Sequence, residues 1–210
     1  MTSTARMEPS PWRVGALRIL APRSATAPEQ SYVNATKAFC PFLTPSVERG
    51  LTSWTVYGIV PGAGPEEIEA AVFEAAVESA ERVRKSSRGP SGHLVCENLV
   101  VEGASRGELD WPHWALKNLY VGVGLMFGKF WTGETGASRS GVPLPVPSFT
   151  FLSVRPAVRR RDPYFLDDTP ALAEVIRDAE DDGRDVFAGL SRDWKEIKKW
   201  SSTLPRPARP

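Results

Sequence analysis

The chain has 210 residues, of which 41% are hydrophobic, and its 26 basic and 25 acidic residues give a formal net charge of +1. This balance disfavours a dedicated nucleic-acid-binding protein, which usually concentrates positive charge. The sequence has no apolar run near the roughly 20 residues of a membrane-spanning helix and no apolar stretch typical of a secretion signal. We therefore expect a soluble, cytoplasmic protein with no nucleic-acid or membrane partner and with free thiols at both cysteines.

The composition along the chain predicts a single domain between two less ordered ends. Residues 1–35 are rich in Pro, Ala, Ser and Thr, so we expect a largely irregular segment with a peripheral strand over 12–20. Residues 36–200 form the predicted α+β domain. Residues 201–210 contain three prolines and few apolar residues, which predicts a disordered tail.

Strand and helix patterns alternate through the predicted domain. Strands are expected at 51–60, 93–101 and 148–154, and helices at 65–85, from Asp110 through Phe130, from Pro170 to a stop near Gly183, and over 187–197. Thr169 and Asp110 are the predicted N-caps. This order predicts a small mixed sheet covered by about four helices, although the pattern leaves open which strands run parallel.

A glycine-bearing stretch in the middle of the chain superficially resembles a dinucleotide-binding fingerprint. Gly122, Gly124 and Gly128 follow a predicted helix rather than a strand, which disfavours that interpretation. We favour a helix in which Gly124 and Gly128 lie one turn apart and permit the close approach of another backbone or of a flat ligand.

Cys40 and His113 are the strongest candidates for a catalytic or ligand-binding role. Cys40 lies between two aromatic residues and before Pro41, so it either packs as a small hydrophobic residue or serves as a nucleophile or an axial haem ligand. His113 is either a partly exposed residue in the first turn of a helix or an acid/base or axial ligand oriented by Asp110. The sequence has no Cys/His cluster with zinc-site spacing, and Cys96 is expected to pack.

Arginines follow the last predicted strand. Arg155 stands at the strand end, where a guanidinium can hold a carboxylate through two hydrogen bonds. Arg159, Arg160 and Arg161 are interpreted either as a solvated face or as a contact for a partner protein.

Three segments resemble a bacterial domain family that has a Cys-Pro-Phe start, a Gly-Leu-Met-x-Gly-x-Phe centre and an Arg…Asp-Pro-x-Phe-Leu end. The segments are CPFLTPSVERG from Cys40, LKNLYVGVGLMFGKF from Leu116 and PVPSFTFLSVRPAVRRRDPYFL from Pro145. Members of this family are often encoded beside biosynthetic genes. The layout is more remotely similar to the YqcI/YcgG family, which includes haem-dependent N-oxygenases that act on arginine-like amines.

The resemblance implies a haem-dependent oxygenase-like enzyme of specialised metabolism with a small amino-acid-like substrate. In that hypothesis Cys40 or His113 binds iron, and Gly124 and Gly128 let the haem approach closely. The remaining expected contacts are carboxylate binding by Arg155 and Arg139, and an apolar lining from Phe127 and Phe130. Two alternatives stay open: a non-catalytic ligand-binding or accessory protein, and a cofactor-free enzyme that uses His113 as a base.

Overall fold

A six-stranded mixed sheet forms the centre of the described structure. The computed structural model describes residues 13–22, 27–138 and 140–206. The strands are Arg13–Val14 (β1), Leu17–Ala21 (β2), Thr52–Ile59 (β3), Cys96–Glu102 (β4), Leu125–Phe130 (β5) and Phe151–Pro156 (β6). They lie side by side in the order β1-β2-β3-β4-β6-β5. Strands β3 and β4 run parallel, and the other neighbouring pairs of this sheet are antiparallel.

Helices cover both faces of the sheet. They are Ala27–Thr36 (α1), Leu43–Glu48 (α2), Pro65–Ser87 (α3), Arg106–Tyr120 (α4), Pro170–Asp178 (α5) and Trp194–Ser202 (α6), with short 3-10 helices at Gly92–Leu94, Val121–Val123 and Asp162–Leu166. Helix α3 makes the crossover between the parallel strands β3 and β4. The prediction of a single α+β domain with a mixed sheet is therefore confirmed.

Helix α3 packs its apolar stripe on one face of the sheet. Pro65 stands at its first position, and Glu66 and Glu67 occupy its first turn, where the helix dipole favours negative charge. Val72 and Val83 are fully buried against the sheet and α4. Because full burial of a valine side chain contributes about 1.5–3 kcal/mol, this stripe anchors the face.

The opposite face of the sheet carries an aromatic cluster beneath α1 and α2. Trp54 and Phe151 are buried there with Val33 of α1. Strand alternation produces this division, since Leu152 and Val154 point toward α3 whereas Phe151 points the other way.

The prediction of one helix from Asp110 through Phe130 is wrong at both ends. Helix α4 begins after Ser105, whose hydroxyl accepts a hydrogen bond from the Gly107 N–H while Glu108 accepts one from the Ser105 N–H. This capping box makes Ser105 the N-cap of the helix, whereas Asp110, the predicted N-cap, lies inside the helix.

Helix α4 ends at Tyr120, ten residues before the predicted end. Gly124, with a φ of 74°, turns the chain in a left-handed conformation into β5. Gly124 and Gly128 therefore lie in a turn and in a strand, and they are not one helical turn apart.

Regular elements occur near both ends of the described part of the chain, including a strand in the region where a peripheral strand over 12–20 was predicted. The segment expected to be largely irregular contains β1, β2 and α1, because Leu17 of β2 is fully buried and β2 pairs with β3. At the other end α6 continues to Ser202, and Trp114 Nε1 donates a 3.0 Å hydrogen bond to the Ser201 carbonyl. Residues 207–210 of the predicted tail lie outside the described residues.

In the part of the chain that the structure describes, each helix is too short or too polar to cross a lipid bilayer.

Candidate functional site

A cavity of about 460 Å³ lies on the face of the sheet opposite α3. Side chains of β3, β4, β5 and β6 form its polar floor and an aromatic wall. Its other walls come from α1, the segment between α1 and α2, the 3-10 helix Asp162–Leu166, and α4, which reaches it beside the edge strand β5. Small-molecule sites in proteins typically measure about 300–1,000 Å³, so this cavity has the size of such a site.

Strands β4 and β6 supply the polar part of the floor. Cys96 and Asn98 alternate with core residues on β4, as do Ser153 and Arg155 on β6, so all four side chains share one face. Asn98 and Ser153 are direct cross-strand partners. The antiparallel pairing of β4 with β6 therefore gathers these groups from segments that lie far apart in the sequence.

Two thiols line the cavity. Cys96 Sγ lies 3.4 Å from Ser153 Oγ, and burial raises the pKa of the Cys96 thiol. Cys40 lies in the segment between α1 and α2, where its backbone N–H donates to the Thr36 carbonyl at 3.2 Å. Both cysteines are free thiols, as predicted.

Aromatic rings form the apolar wall. The ring of Phe130 stacks on Phe151 with centroids 4.6 Å apart and planes 15° apart, and Trp54 and Tyr32 contact Phe151 at 5.3 and 5.7 Å. A Cβ atom on Gly128 would lie 2.9 Å from the Phe130 ring. Gly128 is thus the residue that lets this ring fold back over β5.

Arg155 forms an ion pair with a carboxylate of its own chain. Its two terminal nitrogens donate to the two oxygens of Asp162, each at 2.8 Å, and Asp162 is only 1% exposed. Burial opposes the charge of Arg155, but the bonds to Asp162 prevail and raise its pKa. The guanidinium therefore ties the end of β6 to the 3-10 helix that borders the cavity, and both of its terminal nitrogens are already hydrogen-bonded.

His113 is bound to the edge strand. Its Nε2 lies 3.1 Å from the carbonyl oxygen of Phe127. Because a carbonyl only accepts, Nε2 carries the proton and Nδ1 keeps its lone pair in the neutral ring. Burial, assisted by Lys117 and Lys129, lowers the pKa of His113 to about 3, so the ring is neutral at physiological pH.

The predicted orientation of His113 by Asp110 is wrong. Asp110 forms an ion pair with Lys129 of β5 and a second, longer one with Arg106 at 3.7 Å, and the hydrogen bond of His113 goes to a backbone carbonyl instead. A lysine at the edge strand competes more strongly for the carboxylate than a neutral imidazole does.

Lys117 also lines the cavity, one helical turn after His113 on α4. Burial lowers the pKa of its ammonium group, Lys129 acts in the same direction, and Asp168 opposes them. Within the described residues Lys117 has no ion pair and no hydrogen bond from its side chain. An ammonium group in this environment is poorly compensated.

The cavity gathers six of the residues that the sequence singled out as candidates. They are Cys40, His113, Phe127, Gly128, Phe130 and Arg155. The ring of Phe127, however, packs on Tyr120 at 5.7 Å on the α3 side of the sheet.

The other candidates lie elsewhere. Gly124 borders a separate cavity of about 200 Å³ together with His93 and Arg159. Arg159 and Arg160 are exposed, and the exposed Arg161 has its guanidinium 5.7 Å from the Phe42 ring. Their proposed role as a partner contact stays a prediction. Arg139 lies outside the described residues.

Sequence reasoning missed Lys117, Trp54 and Tyr32. A signal for Lys117 was present, because residues four apart on a helix share a face and His113 was already a candidate. Trp54 and Tyr32 had no such signal, since an aromatic residue in a strand or a helix is equally typical of a closed core.

Fold and cavity together define a single-domain α+β protein with a cavity of small-molecule size. No match was found when the chain was compared with protein-family models, with curated proteins and with solved structures. Within the described residues no group of three or more His, Cys, Asp or Glu side chains is arranged to hold a metal ion.

Proposed function

We propose that this protein binds a small, flat, largely apolar organic molecule in the cavity on the face of the sheet opposite α3. The observation that carries the proposal is the combination of a 460 Å³ volume with aromatic walls and a few polar groups on its floor. Such a composition is typical of ligand sites, in which apolar area supplies affinity and a few polar groups fix orientation.

Filling the cavity tests this proposal. Ser153→Leu adds an apolar side chain on the cavity floor, and Ser31→Leu adds the same side chain at an exposed position of α1. Fused-ring aromatic compounds, beginning with 2-naphthylmethanol, should quench tryptophan fluorescence in the parent and in Ser31→Leu, because Trp54 lies in the wall. Ser153→Leu should fold and lose the quenching. Equal binding by both variants, or no binding of any compound by the parent, would refute the proposal.

A haem-dependent oxygenase-like enzyme acting on a small amino-acid-like substrate is the second candidate. The observation that favours it is the Cys40 thiol in the wall of an apolar cavity, because a thiolate is one of the axial ligands that haem iron accepts. Haem would supply the oxygen chemistry. Lys117 would hold a propionate, since both terminal nitrogens of Arg155 already donate to Asp162. His113 offers Nδ1 as the alternative ligand, because this nitrogen keeps its lone pair while Nε2 donates to the Phe127 carbonyl.

A visible spectrum tests the haem candidate directly. Protein expressed with a haem precursor, or titrated with hemin, should show a Soret band that moves in Cys40→Ser and is retained in His113→Ala. A band that moves only in His113→Ala would reject Cys40 as the ligand. A colourless protein that takes up no hemin would eliminate this candidate and leave the small-molecule site untouched.

The non-catalytic alternative uses the same cavity together with a protein partner at the exposed Arg159 and Arg160. It predicts that a product of a neighbouring gene co-purifies with the parent protein but not with the double variant Arg159→Glu, Arg160→Glu.

A further inference from the structure

We infer that the ligand of the sheet cavity carries a carboxylate, and that Lys117 binds this group. The inference rests on the proposed small-molecule site and names the chemical class that the site selects: an aromatic or aliphatic monocarboxylic acid with a flat apolar body.

Charge pairing around the cavity singles out Lys117. Arg155 is held by both oxygens of Asp162, and Lys129 is held by Asp110. Lys117 lines the same cavity and has no carboxylate within ion-pair distance among the described residues. Asp168, whose charge raises the pKa of Lys117, acts on it only from beyond ion-pair distance and is itself exposed to solvent.

The surroundings of Lys117 favour an organic anion over a hydrated ion. His113, one helical turn away, is neutral and adds no competing positive charge. The rings of Phe130, Phe151 and Trp54 line the same cavity and suit the apolar body of a ligand rather than its charged end. A ligand in the cavity therefore meets aromatic rings with its apolar body and an ammonium group with its charged end.

A bound carboxylate supplies the close negative partner that the Lys117 ammonium lacks in the free protein. The half-buried Lys117 ammonium has lost part of its hydration, a loss that the exposed Asp168 compensates only at longer range. An anion placed beside it inside a low-dielectric cavity forms a charge-assisted hydrogen bond, which is stronger than a neutral one. A neutral ligand of the same shape fills the apolar space but leaves the Lys117 ammonium without a close negative partner.

Three naphthalene probes of matched shape test the inference on the whole chain. They are 2-naphthoate, the neutral 2-naphthylmethanol and the cationic 2-naphthylmethylamine. The parent protein should bind 2-naphthoate about tenfold more tightly than 2-naphthylmethanol, as expected for one charge-assisted hydrogen bond, and should bind the amine weakest.

Substitutions then assign the preference to Lys117. Lys117→Met should bring the affinities for 2-naphthoate and 2-naphthylmethanol within roughly twofold of each other, leaving the latter unchanged, because the apolar contacts remain. Lys117→Arg should keep most of the preference. Lys85→Met removes an exposed lysine of α3 and should behave as the parent.

The possible failures are distinguishable. Equal affinity of the parent for all three probes would overturn the inference while leaving the cavity proposal intact. A preference that survives in folded Lys117→Met would also overturn it. If none of the probes binds the parent, the small-molecule site itself is rejected. The order of the three probes on the parent protein needs no variant, so it decides whether the cavity selects a carboxylate even if Lys117→Met does not fold. In that case Lys85→Met and Lys117→Arg, compared with the parent, show whether the preference follows Lys117.

Discussion

Arg155 at the end of β6 and Asp162 in the following 3-10 helix form an ion pair with two parallel hydrogen bonds of 2.8 Å. The carboxylate is almost fully buried, and the guanidinium side chain is 29% exposed. This pair ties the end of the sheet to the segment that carries Leu166, a wall residue of the cavity. It therefore belongs to the framework of the site.

Removal of the Arg155 side of this pair should destabilise the fold. Arg155→Met leaves the Asp162 carboxylate buried without its partner, and loss of one partner of a buried pair typically costs about 3–5 kcal/mol. Because the guanidinium is partly exposed, we expect about 2–4 kcal/mol, measured by urea unfolding at pH 7. The double variant Arg155→Met, Asp162→Asn should recover part of the loss. A double variant less stable than Arg155→Met would contradict the assignment.

The contact between Gly128 and Phe130 gives a second prediction. Gly128→Ala places a methyl group 2.9 Å from the Phe130 ring, and overpacking of this kind costs about 1–3 kcal/mol. The ring should swing away from Phe151, which weakens probe binding as well as stability.

A double-mutant cycle isolates that contact. Gly128→Ala should cost clearly less in a Phe130→Leu background, measured as the free energy of unfolding. Gly136→Ala is the matched control, because its new methyl group meets only Leu144 at an ordinary 3.7 Å. Equal costs of Gly128→Ala in both backgrounds would mean that the strain lies elsewhere.

Local chemistry was sufficient to predict helix α3, the strand β3 and the two free thiols. Pro65, Glu66 and Glu67 mark the start of the helix, and its apolar stripe has a period that only a helix satisfies. Strand β5 was mistaken for helix because apolar residues continue from α4 without a proline, and the decisive signal is a single left-handed glycine at position 124.

The cavity could not be predicted from local sequence patterns. It depends on β4 pairing with β6, which sets Asn98 opposite Ser153, and on α4 lying beside the edge strand β5. The sequence identified Cys40, His113 and Arg155 as chemically interesting, but the partner of each was wrong or unknown. Asp162 and Phe127 hold two of them, and both partners follow from tertiary contacts alone.

The two thiols should differ in reactivity. Burial raises the pKa of Cys96, so less of its reactive thiolate is present at neutral pH. Ellman's reagent should therefore label Cys40 first and Cys96 severalfold more slowly, with the fast phase absent in Cys40→Ser. Bound 2-naphthoate should slow both phases, because both thiols line the cavity. Loss of the fast phase in Cys96→Ser would reverse the assignment.

His113 should make the protein sensitive to acid. Burial, together with Lys117 and Lys129, lowers the pKa of His113 from 6.5 to about 3 in the folded protein. Between these values the unfolded chain binds the proton and the folded protein does not, so stability falls as the pH drops from 6.5 toward 3. Since each pKa unit corresponds to about 1.4 kcal/mol, we expect a loss of about 1–2 kcal/mol between pH 7 and pH 5 from this residue.

Urea unfolding at both pH values measures this loss, and His113→Gln removes it. The glutamine amide can still donate to the Phe127 carbonyl but does not titrate, so its unfolding free energy should vary less between pH 7 and pH 5 than that of the parent. His93→Gln replaces an exposed histidine and should keep the pH dependence of the parent. If His113→Gln and the parent lose equal stability on acidification, His113 is not the group that the folded protein keeps neutral.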